Sequence, residues 1–217
     1  MSDTEKTWIW EEAGDYDRWT AAERGLYYER YHDLLDLVVV RCRVRRGDRV
    51  LDIGTGTGEL ARRFVQNRGC RVVGLDPSPA MVEEARRKAK QAGWGDAEFQ
   101  VVEAPFLEIP YPAGAFDAVA SSQAFHHLHE RHKPEAVREM ARVLGSGGWL
   151  AIGDPMFQDQ ADLEAALARW PEELEEEYFA YLETLEPMFR SAGLSYHAER
   201  LSRINCVVWG QKKLSGF

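Results

Sequence analysis

A chain of 217 residues, 45% of them hydrophobic, is long enough for one sizeable core with or without appendages. A net charge of −9 argues against nonspecific attraction to nucleic-acid phosphates, and no segment approaches the apolar length of a membrane span. Cys42, Cys70 and Cys206 fit neither a disulfide framework nor a zinc site, and the opening Met1-Ser2-Asp3-Thr4-Glu5-Lys6 lacks the basic and apolar regions of a signal peptide; both point to a cytoplasmic location.

Residues 1–20 carry tryptophan, tyrosine and acid: Trp8, Trp10, Glu11, Glu12, Tyr16, Asp17 and Trp19. Residues 22–44 read as a helix, with Tyr27, Tyr31, Leu34 and Val38 at helical spacing. This amino-terminal part is either an aromatic arm over a ligand or an amphipathic helix packed on a sheet. Gly47-Asp48 marks the turn into a core that begins with a short apolar strand over 49–53.

Gly54-Thr55-Gly56-Thr57-Gly58 follows that strand, and a helical pattern opens at Glu59 and runs to 68. Strand, glycine turn and helix is how an open parallel sheet makes a ligand crevice at its strand ends. Glycine lets the ligand approach the main chain. Asp52 sets the charge there. It would repel the pyrophosphate of a dinucleotide but suits a cationic ligand. The glycine spacing alone leaves a dinucleotide open, because Gly56-x-Gly58-x-x-Ala61 fits the looser dinucleotide pattern. A second strand over 71–75 ends in Asp76, an acid able to accept hydrogen bonds from both ribose hydroxyls. Ser78 and Pro79 then suit the start of a helix over 79–92, and Gly93 its end.

The third strand, 98–103, leads to Ala104-Pro105-Phe106, and the fourth, 116–121, to Ser122-Gln123-Ala124-Phe125-His126-His127-Leu128. Phe106 can stack on a planar ring or belong to the core. One of His126 and His127 is a candidate proton acceptor, the alternative being that a histidine only shapes the turn. His129 and His132 read as exposed loop residues. Four histidines in seven positions match no recognised metal-site spacing, so no metal is expected. Pro134 opens a helix to Leu144, Gly145–Gly148 turns it into a fifth strand over 149–153, and Asp154 ends that strand. Glu172, Glu173, Glu175, Glu176 and Glu177 read as a solvated face. Trp170, Tyr178, Phe179, Tyr181, Met188 and Phe189 form a lid or simply pack.

Several of these stretches together resemble class I S-adenosylmethionine-dependent methyltransferases: residues 50–61, Leu75-Asp76-Pro77-Ser78-Pro79-Ala80-Met81, Phe116-Asp117-Ala118-Val119 and Arg142-Val143-Leu144-Gly145-Ser146-Gly147-Gly148. Ala124-Phe125-His126-His127-Leu128, the run from Asp154 to Gln160, and Asn205-Cys206-Val207-Val208-Trp209 are similar to the small YrrT-like branch. The resemblance implies an α/β, Rossmann-like, doubly wound and mostly parallel seven-stranded sheet. It also implies a closing antiparallel pair over 194–201 and 205–211 and a helical cap. One domain is expected, divided into an aromatic arm (1–45), a cofactor-binding core (46–155), a cap (156–193) and the closing strands (194–217).

The cofactor implied is S-adenosyl-L-methionine, held by Asp52, Gly54, Thr55, Gly56, Gly58, Asp76, Pro77, Met81, Ala104, Pro105, Phe106, Ser121 and Gln123. The family often has an acid for the adenine amino group where this chain has Pro105, which offers neither carboxylate nor N–H. His126 and His127 are the expected catalytic groups, and Tyr16, Tyr31 and His127 the expected substrate contacts. The expected activity is methyl transfer to a small-molecule acceptor, with no nucleic-acid or membrane partner. A protein that binds this cofactor without catalysis and a nicotinamide-dependent oxidoreductase are the alternatives.

Overall fold

The computed structural model describes residues 13–174 and 177–214; Trp8, Trp10, Glu11, Glu12, Glu175 and Glu176 lie outside the described residues. The strands β1 (Arg49–Ile53), β2 (Arg71–Asp76), β3 (Phe99–Glu103), β4 (Phe116–Ser122) and β5 (Leu144–Phe157) are parallel neighbours in the order β3-β2-β1-β4-β5. Two antiparallel strands extend the sheet beyond β5. They are β8 (Asn205–Gln211) beside β5 and β7 (His197–Arg200) at the edge. The expected mostly parallel sheet with a closing antiparallel pair is therefore present. A two-residue strand, β6 (Ala180–Tyr181), adds in parallel to Met156 and Phe157 of β5.

Strand alternation divides the core into two layers. Val50, Val72, Ala118, Ala120 and Ala151 face one side, under α2 (Tyr31–Arg41), α3 (Glu59–Arg63) and α4 (Pro79–Gln91). Leu51, Ile53, Val73, Val119 and Ile152 face the other, under α5 (Lys133–Val143) and α7 (Leu182–Ser191). Leu26, Phe157, Leu163, Leu174, Phe179 and Ile204 make a smaller cluster around α6 (Gln160–Arg169). The Ser78 hydroxyl accepts from the Met81 N–H at 3.4 Å, and Pro79 follows it, so α4 starts at the expected cap.

Two elements differ from expectation in extent, and a third, the helix over 59–68, only in helix type. The helix expected over 22–44 begins only at Tyr31, because Glu23, Gly25 and Arg30 take positive φ (47°, 75° and 58°), which no right-handed helix can include. A separate helix, α1 (Ala13–Ala21), precedes it. The helix after the glycine turn widens over Phe64–Arg68 and ends at Gly69 with φ 66°. The fifth strand is longer than 149–153: Leu144 pairs with Phe116 and Trp149 with Ala118, so the glycine stretch is absorbed as a register irregularity instead of a separate turn. Among the described residues no helix is long and apolar enough to cross a membrane.

Candidate active site

After β1 the chain order reverses across the sheet. β2 and β3 lie on one side of β1 and β4 on the other. That switch point opens a crevice beyond the carboxyl ends of β1 and β4. The glycine turn forms one lip, with φ 68°, 53° and 89° at Gly54, Gly56 and Gly58. A Cβ on Gly54 would stand 2.3 Å from the Cβ of Ala124 in the loop after β4, so the two lips meet through a glycine. A Cβ on Gly56 would meet nothing within 4 Å, so that turn of main chain is open. The Gly54 and Thr55 N–H groups both donate to the Leu75 carbonyl, at 2.8 and 2.9 Å, tying the turn to β2.

Two carboxyl groups flank this turn. Asp76, at the end of β2, accepts from the Gly56 N–H at 2.8 Å and the Ser78 N–H at 2.9 Å. Asp52, one residue before the end of β1, is 1% exposed. The Thr55 hydroxyl donates to its Oδ2 at 2.8 Å, while Oδ1 is buried with no hydrogen-bond partner among the described residues. Burial pushes the Asp52 carboxyl up to about 7; the Thr55 hydroxyl opposes this, the Asp76 charge adds to it, and the Ala61 backbone N–H opposes it weakly. Gly74 makes room for Thr55: a Cβ there would lie 2.7 Å from Thr55 Oγ1.

Pro77 and Pro105 are exposed, while Met81 and Ala104 are buried. The Ala104 N–H donates to the Asp76 carbonyl at 3.2 Å, which brings the end of β3 to the same rim. Phe106 is buried, with its ring centroid 5.9 Å from that of Phe125, in the core layer under α5.

Ser121 and Gln123 have their polar ends committed within the chain. Ser121 Oγ donates to the Ile53 carbonyl at 2.8 Å, linking β4 to β1. Gln123, at φ 52°, donates its side-chain amide to the Tyr27 carbonyl and to Asn205 Oδ1, at 3.0 and 2.9 Å. It holds the segment that precedes α2.

His126 and His127 follow, 4.0 Å apart by ring centroid. His126 is buried, and its Nδ1 lies 2.9 Å from Oδ1 of Asp154, which is fully buried. His127 is more open, and its Nδ1 stands 3.8 Å from Glu177 Oε2. Burial, then the neighbouring His126, lowers His127 to about 4, against Glu177 and Asp154. Lys133, 2% exposed, donates from Nζ to the Phe125 carbonyl at 2.7 Å. Burial brings it down to about 7, against the charges of Asp154, Glu130 and Glu177. The Tyr178 N–H closes the cluster by donating to the His126 carbonyl at 3.1 Å.

Sequence reading assigned no role to Asp154 or Lys133 and took Glu177 as solvated, whereas the Glu177 side chain is only 4% exposed. The signal for Asp154 was its place at a strand end. Glu177 offered none, because a run of glutamates conceals the one that turns inward. His129 and His132 are half-buried rather than exposed, and the His129 ring lies 4.7 Å from that of Tyr178.

The arm lies over the turn. Thr57 Oγ1 donates to Asp17 Oδ1 at 2.6 Å, and Lys88 Nζ reaches Asp17 Oδ2 at 2.5 Å, so α1 is tied to both the glycine turn and α4. Tyr16 and Tyr31 meet hydroxyl to hydroxyl at 3.4 Å. Burial raises both phenols, so at neutral pH they are hydrogen-bond donors and not bases.

Residues 50–148 match the family model described as "Methyltransferase domain". An uncharacterized methyltransferase of Geobacillus thermodenitrificans is 31% identical over 194 residues, which is 84% of this chain and 86% of that protein. The fold is shared with the [4+2]-cyclase SpnF (TM-score 0.71, 22% identity, 84% of this chain and 81% of that one). It is also shared with phosphoethanolamine N-methyltransferase 2 of Haemonchus contortus, solved with phosphomonomethylethanolamine and S-adenosylhomocysteine (TM-score 0.68, 16% identity, 85% of this chain and 53% of that one). The glycine turn at the switch point, the family match and the relative's identity over most of both chains lead to one conclusion: this chain belongs to the class I methyltransferase family.

Proposed function

We propose that the protein transfers a methyl group from S-adenosyl-L-methionine to a small-molecule acceptor. The observation that carries the reading is Asp52, a buried acid beneath the open glycine turn with one oxygen that has no hydrogen-bond partner among the described residues. A pyrophosphate there would meet a carboxylate, whereas a cationic ligand stabilises its ionised form. Asp76, at the rim beside Gly56, is the ribose acceptor in this reading, and Gly54, Thr55, Gly56 and Gly58 supply the close backbone. Pro77, Met81, Ala104, Pro105 and Phe106 border the adenine side, while Ser121 and Gln123 shape the floor. A neighbour in fold solved with S-adenosylhomocysteine supports the same cofactor.

Bound there, the cofactor supplies an electrophilic methyl on a sulfonium. The chain's task is to align the acceptor, exclude water and take its proton. The loop carrying His126 and His127 stands at the end of β4, beside the crevice, and provides the proton acceptor. Tyr16 and Tyr31 wall the acceptor side as hydrogen-bond donors, and α1, held by Asp17, covers the turn. The division into arm, core, cap and closing strands within one domain belongs to this reading. So does a cytoplasmic setting, with Cys42, Cys70 and Cys206 free and buried.

A protein of the same fold that is a [4+2]-cyclase is a reminder that fold alone does not fix the reaction. Calorimetry therefore comes first. S-adenosylmethionine and S-adenosylhomocysteine are expected to bind and to raise the melting temperature, and NAD and NADP to do neither. Incubation with a methyl-labelled donor and a cell metabolite extract follows. Tight nicotinamide binding without binding of the sulfonium compound overturns the proposal. Binding with no labelled product leaves a non-catalytic binder.

A further inference from the structure

We propose that Asp154 is a positioning residue for proton transfer through His126, an inference that rests on the methyl-transfer reading. Asp154 has no side-chain exposure, and its Oδ1 lies 2.9 Å from His126 Nδ1. Its Oδ2 is buried with no hydrogen-bond partner among the described residues. A desolvated carboxylate with one oxygen unpaired is costly, and a well-packed apolar residue would serve stability better. The acid is placed here by strand register. Ser122 of β4 pairs with Gly153 of β5, so the residues after each come together at the crevice although 28 positions separate His126 from Asp154.

The turn that bears His126 is held from both sides. Lys133 Nζ donates to the Phe125 carbonyl at 2.7 Å, and the Tyr178 N–H donates to the His126 carbonyl at 3.1 Å. An ionised carboxylate only accepts, so His126 carries its ring proton on Nδ1 and keeps the Nε2 lone pair for a substrate. In the transfer the acceptor's heteroatom–hydrogen bond breaks. Its electron pair stays on the heteroatom, the proton moves to Nε2, and the imidazolium so formed faces the Asp154 carboxylate. His127 instead has Glu177 at 3.8 Å, and burial holds its imidazole near 4. The pair therefore suits an acceptor with a proton to lose, a hydroxyl or an amine. An acceptor already present as a thiolate gains nothing from it.

The test uses the full chain labelled with 15N-histidine, the His126 signals being assigned by their loss in His126→Gln. The wild type is expected to show neutral His126 with the proton on Nδ1 and a bare Nε2. In Asp154→Asn the amide can donate or accept, so that preference is lost. Turnover from methyl-labelled S-adenosylmethionine into a cell metabolite extract then falls about 10²-fold or more, the low end of positioned proton transfer. Calorimetric affinity for S-adenosylmethionine stays unchanged. A wild-type His126 protonated on Nε2 overturns the inference without any variant, so poor folding of Asp154→Asn cannot protect it. Full turnover in a folded Asp154→Asn overturns it as well. Failure of wild-type protein to bind S-adenosylmethionine is a separate result, which removes the methyl-transfer reading and leaves the tautomer of His126 as measured.

Discussion

The glycine turn and the histidine cluster sit at the ends of adjoining strands, yet they are assembled differently. The turn is local. Asp52, Thr55, Gly56 and Asp76 come from one strand–turn–helix–strand unit, and backbone N–H groups fill both oxygens of Asp76. The cluster joins distant segments: His126 after β4, Lys133 at the start of α5, Asp154 in β5 and Glu177 before β6. Its charged groups meet side chains and carbonyls from distant segments, and one oxygen of Asp154 has no hydrogen-bond partner among the described residues. The turn has one carboxyl raised by burial, and the cluster has a lysine and a histidine lowered by it. A site built of backbone groups holds a ligand in a fixed place. A site built of buried titratable side chains can move a proton.

The largest effect that would test this contrast is on turnover. His126→Gln is expected to lower it about 10²–10⁴-fold and to leave cofactor affinity intact, as initial rates and calorimetry will show. His127→Gln, removing an imidazole already held near 4, costs less. Equal losses in both variants erase the distinction drawn between the two histidines. Full activity in both shows that neither histidine is the base.

Next is a difference in pH dependence. Asp52 has a folded pKa near 7, above that of the unfolded chain, so between about pH 4 and 7 the folded state binds the extra proton. Its contribution is fully present below pH 4 and is lost as pH rises to 7. The sum is about 4 kcal/mol at most. Lys133, lowered to about 7, works in a different window. Between about pH 7 and 10 the unfolded chain binds the extra proton, so stability rises with pH. Urea unfolding of Asp52→Asn and Lys133→Met against wild type should reveal these opposite slopes, and parallel curves would show both groups to be better solvated than they look.

The smallest effect concerns the turn itself. Asp76→Ala should cost about 1.5–3 kcal/mol of S-adenosylmethionine affinity, the scale of hydrogen bonds to a charged group. An unaltered dissociation constant in a folded variant would place the ribose elsewhere and leave Asp76 as only a brace for Gly56 and Ser78.

The resemblance implied the mostly parallel sheet, while the residues by themselves determined where β1 to β4 lie, the glycine turn, the Ser78 cap and the strand-end positions of Asp52 and Asp76. The latter all follow from short-range rules: apolar runs, glycine where φ must be positive, and a hydroxyl before a helix. Tertiary structure decided what depends on strand register and on long-range packing. It paired Asp154 with His126, turned Glu177 inward from an acidic run, buried Lys133 beneath Phe125, and used Asp17 to tie α1 to Thr57 and Lys88. It also moved the start of the expected helix to Tyr31, because Arg30, with its left-handed backbone, follows a segment held by Gln123 and Asn205. Periodicity reports which face of an element is apolar. Which charged groups meet across the crevice depends on how the strands slide past one another, and no local pattern encodes that.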